Sequence, residues 1–272
     1  MTLTDILEDK LGEDASSMMT IWEHLGELGK SLKIALYTFV GSIVLLMVLP
    51  GNLSFVNSLG DYQFLVAVIL TRIREHVLPA DVKLVGLGLT DPMELFVMAA
   101  ITLGAAITFP VVAFRVYQFI NPALYKKEKN AVYPFLASFS ILFISGLVFG
   151  YLILAPYMIR AMLPFFSAVG AEPFIDIMTF YALMLQTTLL MGLFFTFPVF
   201  LVLFVKFGII SSKVITKSRK YFYAGLLILT FFVTPDGGMV GNILLFVPMM
   251  VLVEGGILFA RRYEKDVDPR FG

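Results

Sequence analysis

The sequence contains no cysteine, only two histidines and a single tryptophan. Without cysteine the chain can form no disulfide bond and no thiolate metal site. Charge is scarce and balanced, because 20 lysines and arginines match 20 aspartates and glutamates, and charged residues make up 15% of the chain. This zero net charge gives no sign of a nucleic acid or any other strongly charged partner.

Motifs of common enzymes are also missing. No Gly-rich loop ends in Gly-Lys-Ser/Thr, no His-Glu-x-x-His pair occurs, and no serine lies in a nucleophile elbow. The two histidines, His24 and His76, fall on opposite sides of the membrane in the topology derived below, so they cannot share a metal ion. We therefore predict that the protein is not an enzyme and holds neither a metal nor a cofactor.

Long apolar stretches dominate what is present. Hydrophobic residues make up 59% of the chain, and the mean hydropathy is +0.89, whereas soluble domains have roughly 45–50% apolar residues. A helix needs about 20 apolar residues to cross a bilayer, and helices satisfy their own backbone groups there. We predict an all-α polytopic membrane protein with six spanning helices, which lie within Ser31–Leu49, Met93–Phe114, Val132–Tyr157, Ile177–Val205, Tyr221–Val233 (a short fifth span) and Met239–Ala260.

The basic residues are distributed unevenly between the two sides of this topology. The side with both tails and the connections 115–131 and 206–220 holds 16 of the 20 lysines and arginines. The positive-inside rule then predicts that both termini of this multi-pass cell membrane protein are cytoplasmic. An acidic, polar segment precedes the first apolar stretch, so we expect no cleavable signal peptide.

We predict one membrane domain without internal repeats. It covers residues 21–262, between an acidic cytoplasmic tail at 1–20 and a cytoplasmic tail at 263–272. Ile21–Lys33 reads as an amphipathic helix that leads into the first span. Residues 50–91 and 158–176 form external loops, and apolar residues at helical spacing in Tyr62–His76 predict a surface helix in the first loop.

Prolines occur inside or at the ends of several predicted spans. A proline removes a backbone donor and bends a helix. Two interpretations stay open: ordinary use of proline in membrane helices, or a curved, cupped wall. The prolines concerned are Pro92, Pro110, Pro134, Pro156, Pro198 and Pro248.

Polar residues inside the apolar stretches are a sharper signal. Glu94 lies near the start of the second span, Gln186 within the fourth and Glu254 within the sixth. A carboxylate at the bilayer centre costs about 2.5–3.5 kcal/mol and is usually paired or lines a wet cavity. Glu94 could instead cap the first turn of its helix, where the dipole favours negative charge. Glu254 lies about two turns from the basic pair Arg261–Arg262.

Acidic residues also lie on the predicted cytoplasmic side. Glu23 and Glu27 share a helix face, and Glu27 is placed to pair with Lys30. Glu128 lies in a loop rich in lysine. Each is explained alone as a solvated charge. Together they form a group of carboxylates, which bind guanidinium groups through bidentate hydrogen bonds.

Several segments, in order from about residue 21 to 262, resemble the TatC family, the multispanning receptor of the twin-arginine protein translocase. The loop at 117–129 is close to the family's first cytoplasmic loop, and the other segments match the first helix, the second span and the last two helices. The segments are 22-WEHLGELGKSL-32, 91-DPMELF-96, 117-YQFINPALYKKEK-129, 219-RKYF-222, 234-TPD-236 and 248-PMMVLVE-254.

The resemblance implies a function and a site. Family members bind twin-arginine signal peptides of folded cargo with glutamates that match Glu27 and Glu128. The same surface includes positions that match Glu23, Phe119, Pro122 and Tyr125. The family is further implied to recruit single-span TatA/TatB-type partners along the fifth helix, to form homo-oligomers within the receptor complex, to contact membrane lipid, and to export cargo with the proton gradient.

The resemblance also implies polar positions within the membrane, which match Glu94, Asp236 and Glu254, and the chain departs from the family pattern nearby. Thr196 stands where the family commonly has a glutamate, and an alanine (Ala99 or Ala100) replaces a lysine often seen in the second span. Losing both charges is self-consistent if they balance each other. Gln186 and Thr196 are then candidates for a neutral version of the polar pocket.

A secondary transporter of a small solute is the alternative from another functional class. Intramembrane carboxylates and bent helices favour it. The small number of helices, the absence of a detectable repeat and the absence of paired broken segments argue against it.

Overall fold

The computed structural model describes residues 21–52, 62–79, 82–120, 132–206, 212–233 and 239–267. Helices dominate these residues, as predicted. Five of the described helices are long and apolar enough to cross a membrane; their spans are Gly29–Val48, Asp91–Arg115, Leu136–Ala168, Ile177–Val205 and Gly241–Arg261. The predicted short fifth span corresponds to a 15-residue helix, about 22 Å long.

The elements follow one another in the order α1 (Ile21–Val48), α2 (Leu65–Val77), β1 (Lys83–Val85), α3 (Asp91–Ile120), α4 (Val132–Phe149), a π-helical turn (Gly150–Leu154), α5 (Ala155–Ala168), β2 (Phe174–Asp176), α6 (Ile177–Lys206), α7 (Ser212–Lys217), α8 (Arg219–Val233) and α9 (Met239–Val267). The segment Ile21–Lys33 continues without a break into the first span, as its amphipathic pattern predicts.

Helix α6 is the centre of the bundle. It packs against α3, α4 and α9, and half of the residues in its apolar window are buried, compared with 6% for α1. Helix α1 packs mainly against α3. Because lipid tails are as apolar as leucine, close packing and small residues, not hydrophobic burial alone, hold such helices together.

Glycines let α4 approach the backbone of α6. A Cβ added at Gly146 would lie 2.8 Å from Gly192 Cα, and one added at Gly150 would lie 2.9 Å from Thr188 Cα. Gly146 and Gly150 are four residues apart and share one face of the helix, as in a small-xxx-small motif. No larger residue fits at this contact without moving a backbone.

The third predicted span is longer and less regular than its sequence indicates. Helix α4 passes into the π-helical turn, in which the Ala155 N–H bonds to Gly150 O, and then into α5. Pro156 follows directly and lacks the N–H that a regular helical ladder needs. Residues 158–168, predicted as part of a loop, therefore continue the helix, and only 169–173 separate α5 from β2.

The predicted surface helix exists as α2, shifted by one to three residues at each end. Val66, Leu70, Ile73 and Val77 are buried, and Tyr181 of α6 donates a hydrogen bond to Leu70 O at 2.9 Å. Strands β1 and β2 pair in parallel beside it, with Leu84 opposite Ile175. This pairing joins the two loop regions at the same end of the bundle.

Candidate functional site

The contact between α1 and α3 fixes which of their ends lie together. Ser42 Oγ lies 3.2 Å from Gly104 O and 3.4 Å from Thr108 Oγ1. Helices α1 and α3 run in opposite directions, because Pro50, just after α1, pairs with Phe64, and the Phe64 ring contacts Phe96 near the start of α3. Glu27 lies 15 residues before Ser42, and Phe119 lies 15 residues after Gly104, so each position is roughly 22 Å from the contact along its helix. The start of α1 and the end of α3 therefore lie at the same end of the bundle.

The predicted signal-peptide residues lie near the start of α1, near the end of α3, or in the sequence segment that follows α3. Glu23 and Glu27 lie in α1 before its span begins at Gly29, and Phe119 lies in α3 after its span ends at Arg115. The structure describes the backbone of these three positions but not their side chains. Three further predicted residues, Pro122, Tyr125 and Glu128, lie outside the described residues, as does Asp236.

Glu94 lies at the opposite end of α3, in its first turn. Its side chain is exposed, and Oε1 accepts a hydrogen bond from Thr90 Oγ1 at 2.8 Å. Beside it, Asp91 Oδ2 accepts the Gly88 N–H at 2.6 Å. The geometry is that of a helix N-terminus with two carboxylates, where the dipole favours negative charge. The exposed position of Glu94 in the first turn agrees with the interpretation that it lies at a helix terminus.

Gln186 and Thr196 do not meet in one polar pocket. Gln186 is exposed on α6, whereas Thr196 is buried at 1% exposure. The Thr196 hydroxyl donates to Leu193 O at 2.6 Å, one turn earlier in the same helix. Because the helix satisfies this hydroxyl locally, Thr196 behaves as a packed core residue.

Glu254 is paired inside the bundle. Arg219 Nη2 lies 3.0 Å from Glu254 Oε2, and each side chain is about one third exposed, at 34% and 31%. Tyr223 Oη donates a hydrogen bond to the other carboxylate oxygen, Oε1. Arg219 and Tyr223 are one turn apart on α8, so a single face of α8 meets the carboxylate of α9. This supplies the partner that an intramembrane carboxylate needs.

The sequence alone did not identify these two partners. It placed Glu254 near Arg261, but Arg261 Nη2 and Nε donate to Thr216 Oγ1 at 2.7 and 3.2 Å. Arg219 and Tyr223 precede Glu254 by 35 and 31 residues, and only the packing of α8 against α9 brings them together. Glu254 itself was a signal in the sequence, because a carboxylate within a membrane span is usually paired with a cation, which another helix can supply.

The described side chains offer charge and hydrogen bonds for recognition. Within the described ranges, no group of three or more His, Asp or Glu could hold a metal ion. The polar groups are instead distributed between the two ends of the bundle and the α8–α9 contact.

The sequence model of the family "Sec-independent protein translocase protein (TatC)" matches residues 23–248. The chain is 29% identical over 245 residues to the translocase protein TatCy of Bacillus subtilis (strain 168), with 90% of each chain covered. It is 26% identical to TatC of Aquifex aeolicus (strain VF5), with 92% of this chain and 99% of that protein covered. A 33% identical region of 172 residues is shared with TatC of Escherichia coli (strain K12), covering 63% of this chain and 64% of that protein.

The fold also resembles that of solved structures. A crystal structure described as the twin-arginine translocase receptor TatC superposes with a TM-score of 0.70 at 24% identity, covering 88% of this chain and 99% of that one. A second structure of the same receptor, in DDM, superposes with a TM-score of 0.71 at 24% identity. The arrangement of helices is therefore that of a polytopic helical membrane protein.

Proposed function

The chain belongs to the TatC family, the receptor subunits of the twin-arginine translocase, and we propose that it binds twin-arginine signal peptides at the end of the bundle where α1 begins and α3 ends. Such subunits are components of a protein translocase in the cell membrane and not catalytic enzymes. The transporter alternative has no support among the relatives. The observation that carries the proposal is the family match along 23–248.

The proposed site consists of two carboxylates that face two guanidinium groups. Glu27 and Glu128 hold the arginine pair of the signal peptide, and Glu23, Phe119, Pro122 and Tyr125 form the surface around it. The α1–α3 packing supports this assignment, because it brings the Glu27 position and the start of the segment with Glu128 to one end of the bundle. Arginine suits such a site better than lysine, since its planar fork bonds both oxygens of a carboxylate.

The proposed topology places this end of the bundle in the cytoplasm. Within the described residues, α6 ends and α8 begins at the same membrane side, and the basic residues Lys217, Arg219, Lys220 and Arg261 lie there. The excess of basic residues favours the cytoplasmic side by the positive-inside rule. Signal peptides of newly made, folded cargo then meet the site before export, which the proton gradient drives.

The outer face of α8 is the proposed docking surface for single-span TatA/TatB-type partners. Leu227, Ile228 and Phe231 are exposed on it. At about 22 Å, α8 is shorter than the roughly 30 Å hydrocarbon core. A partner helix beside α8 would cover its exposed apolar side chains.

The chain has no cysteine, so an Ile228→Cys variant carries one thiol for disulfide crosslinking to a partner. Ile141→Cys, on exposed α4 surface, is the matched control that we expect not to crosslink.

The binding site is tested with the purified protein in nanodiscs and a synthetic signal peptide. We expect a Glu27→Gln, Glu128→Gln double variant to bind the peptide roughly ten-fold or more weakly, because a hydrogen bond to a charged group contributes about 1.5–3 kcal/mol. A twin-lysine peptide should show little difference between the two proteins. Glu75→Gln is the control, since Glu75 is exposed on α2 and pairs with the neighbouring, exposed Arg72 at 3.5 Å. Equal affinity of the double variant and the control would refute the site.

A further inference from the structure

An apolar groove opens between α6, α7 and α8, and we call it the α6–α8 groove. Its volume is about 600 Å³. The lining side chains are almost entirely hydrocarbon, and the hydroxyl groups of Ser218 and Tyr221 lie at the end where α8 begins. The deeper walls include Phe194, Phe197, Phe222 and Leu229. Leu227 and Ile228 of the outer face of α8 are not among the residues that line this groove.

Two lysines flank the polar end of this groove. Lys217 and Lys220 are exposed and adjoin the lining residues Ser218 and Tyr221. Lys220 Nζ lies 5.1 Å from the centroid of the Tyr221 ring. Among the side chains that the structure describes, neither lysine forms an ion pair, whereas the neighbouring Arg219 is held by Glu254. Lys220 therefore lies against a tyrosine that lines the groove, and Lys217 adjoins the lining residue Ser218 in the sequence.

We propose that the α6–α8 groove binds an anionic phospholipid, with an acyl chain along its apolar walls and the phosphate headgroup between Lys217 and Lys220. Basic pockets between membrane helices bind anionic headgroups, and each lysine near the surface favours such a lipid. Tyrosine is common at this depth, where one end of its side chain is apolar and the other is wet. The charge at the mouth and the hydrocarbon walls thus match the two parts of one lipid molecule.

The lysines beside the groove favour a lipid over an apolar protein helix, because an anionic headgroup supplies the opposite charge that such a helix lacks. Gly225 keeps the groove open, because no atom lies within 4 Å of a Cβ added there.

The single tryptophan, Trp22, allows a direct test by fluorescence quenching. In a Trp22→Phe background, Phe197→Trp places the fluorophore in the groove, and Ile141→Trp places a control on exposed surface of α4. Each full-length protein is reconstituted in phosphatidylcholine vesicles with increasing fractions of brominated phosphatidylglycerol. We expect quenching at residue 197 to saturate at a low fraction of phosphatidylglycerol, and quenching at residue 141 to follow the bulk fraction.

Two further variants separate the headgroup from the acyl chain. Lys217→Gln with Lys220→Gln should remove the preference for phosphatidylglycerol, which we expect to be roughly five-fold for each lysine. Gly225→Leu should fill the groove and reduce quenching at residue 197 by brominated phosphatidylglycerol, while Gly41→Leu, at an equally open glycine of α1, should not. The proposal fails if residues 197 and 141 give the same dependence on phosphatidylglycerol. It also fails if the lysine variants keep the preference for phosphatidylglycerol. A third result against it would be that brominated lipid does not quench residue 197, whereas an added single-span partner changes its fluorescence.

Discussion

Arg219 of α8 and Glu254 of α9 form an ion pair, with 3.0 Å between Arg219 Nη2 and Glu254 Oε2. Tyr223 donates a hydrogen bond to the same carboxylate. The pair joins the short α8 to a helix that packs against the central α6. In a membrane protein such an ion pair stabilises the packing of α8 against α9, because moving either charge into lipid without its partner is costly.

We predict that removing one member of this pair costs more than removing both. Glu254→Gln should lower the free energy of unfolding by about 1–3 kcal/mol, since it leaves the Arg219 charge without its partner. The double variant with Arg219→Gln should recover part of that loss, giving a coupling energy of about 1 kcal/mol. Unfolding by SDS, followed by far-UV circular dichroism, measures all four proteins of the cycle. Strictly additive losses would show that the pair contributes no coupling.

The close approach of α4 and α6 leads to a second prediction. Gly146→Ala should destabilise the protein by about 1–3 kcal/mol, because the new Cβ meets the α6 backbone at Gly192. Gly41→Ala is the matched control, since no atom lies within 4 Å of its Cβ. There, alanine should be neutral or stabilise by up to about 1 kcal/mol through helix propensity. The same SDS unfolding measures both variants, and equal effects would contradict the glycine contact.

A third prediction concerns pH. Asp176 precedes α6 and accepts hydrogen bonds from Thr179 N and Thr179 Oγ1, each at 2.9 Å. The bond from the Thr179 backbone N–H, followed by that from its hydroxyl, lowers the Asp176 pKa below its ordinary value of 3.8. A lowered pKa means that the folded state favours the carboxylate, so the stabilisation is present above pH 3.8 and disappears as the pH falls through the folded-state pKa.

Asp176→Asn removes this titration and keeps a side-chain oxygen that can cap the helix. We expect the wild-type protein to have a slightly higher Tm than Asp176→Asn at pH 6, and the difference to shrink as the pH falls below 3.8. Thermal melts in a detergent that does not titrate in this range give both values. A Tm difference that stays constant from pH 6 to 2.5 would contradict the role of the charged carboxylate.

The sequence predicted most of the fold because lipid imposes a simple rule on length and hydropathy. The five long spans and the short α8 follow from the lengths of the apolar stretches, and the surface helix at Leu65–Val77 follows from apolar periodicity. The π-helical turn before Pro156 and the pairing of β1 with β2 did not, since they depend on local backbone bonds and on two loops meeting in space. The α4–α6 contact was not identified either, although Gly146 and Gly150 carry its spacing in the sequence.

The sequence also predicted the environment of the polar residues only in part. Glu254 was predicted to be paired or to line a wet cavity, and in the structure it pairs with Arg219, 35 residues earlier in the chain. Sequence spacing identifies neighbours within one helix and could not find this partner. Thr196 was predicted to help form a polar pocket, yet its hydroxyl bonds to its own helix at Leu193. The roles of Glu27 and Glu128 come from the resemblance to the TatC family and stay predictions, and the α1–α3 packing places the Glu27 position at the end of the bundle where α3 ends.

Site-specific photo-crosslinking from positions 27 and 128 to a twin-arginine precursor tests the receptor site most directly. The measurement uses membranes that contain the full-length protein, a twin-lysine precursor as the matched cargo, and position 75 on α2 as the control site. The proposed site predicts crosslinks from positions 27 and 128 with the twin-arginine precursor, far fewer with the twin-lysine precursor, and none from position 75. Equal crosslinking of both precursors, or none at positions 27 and 128, would contradict it.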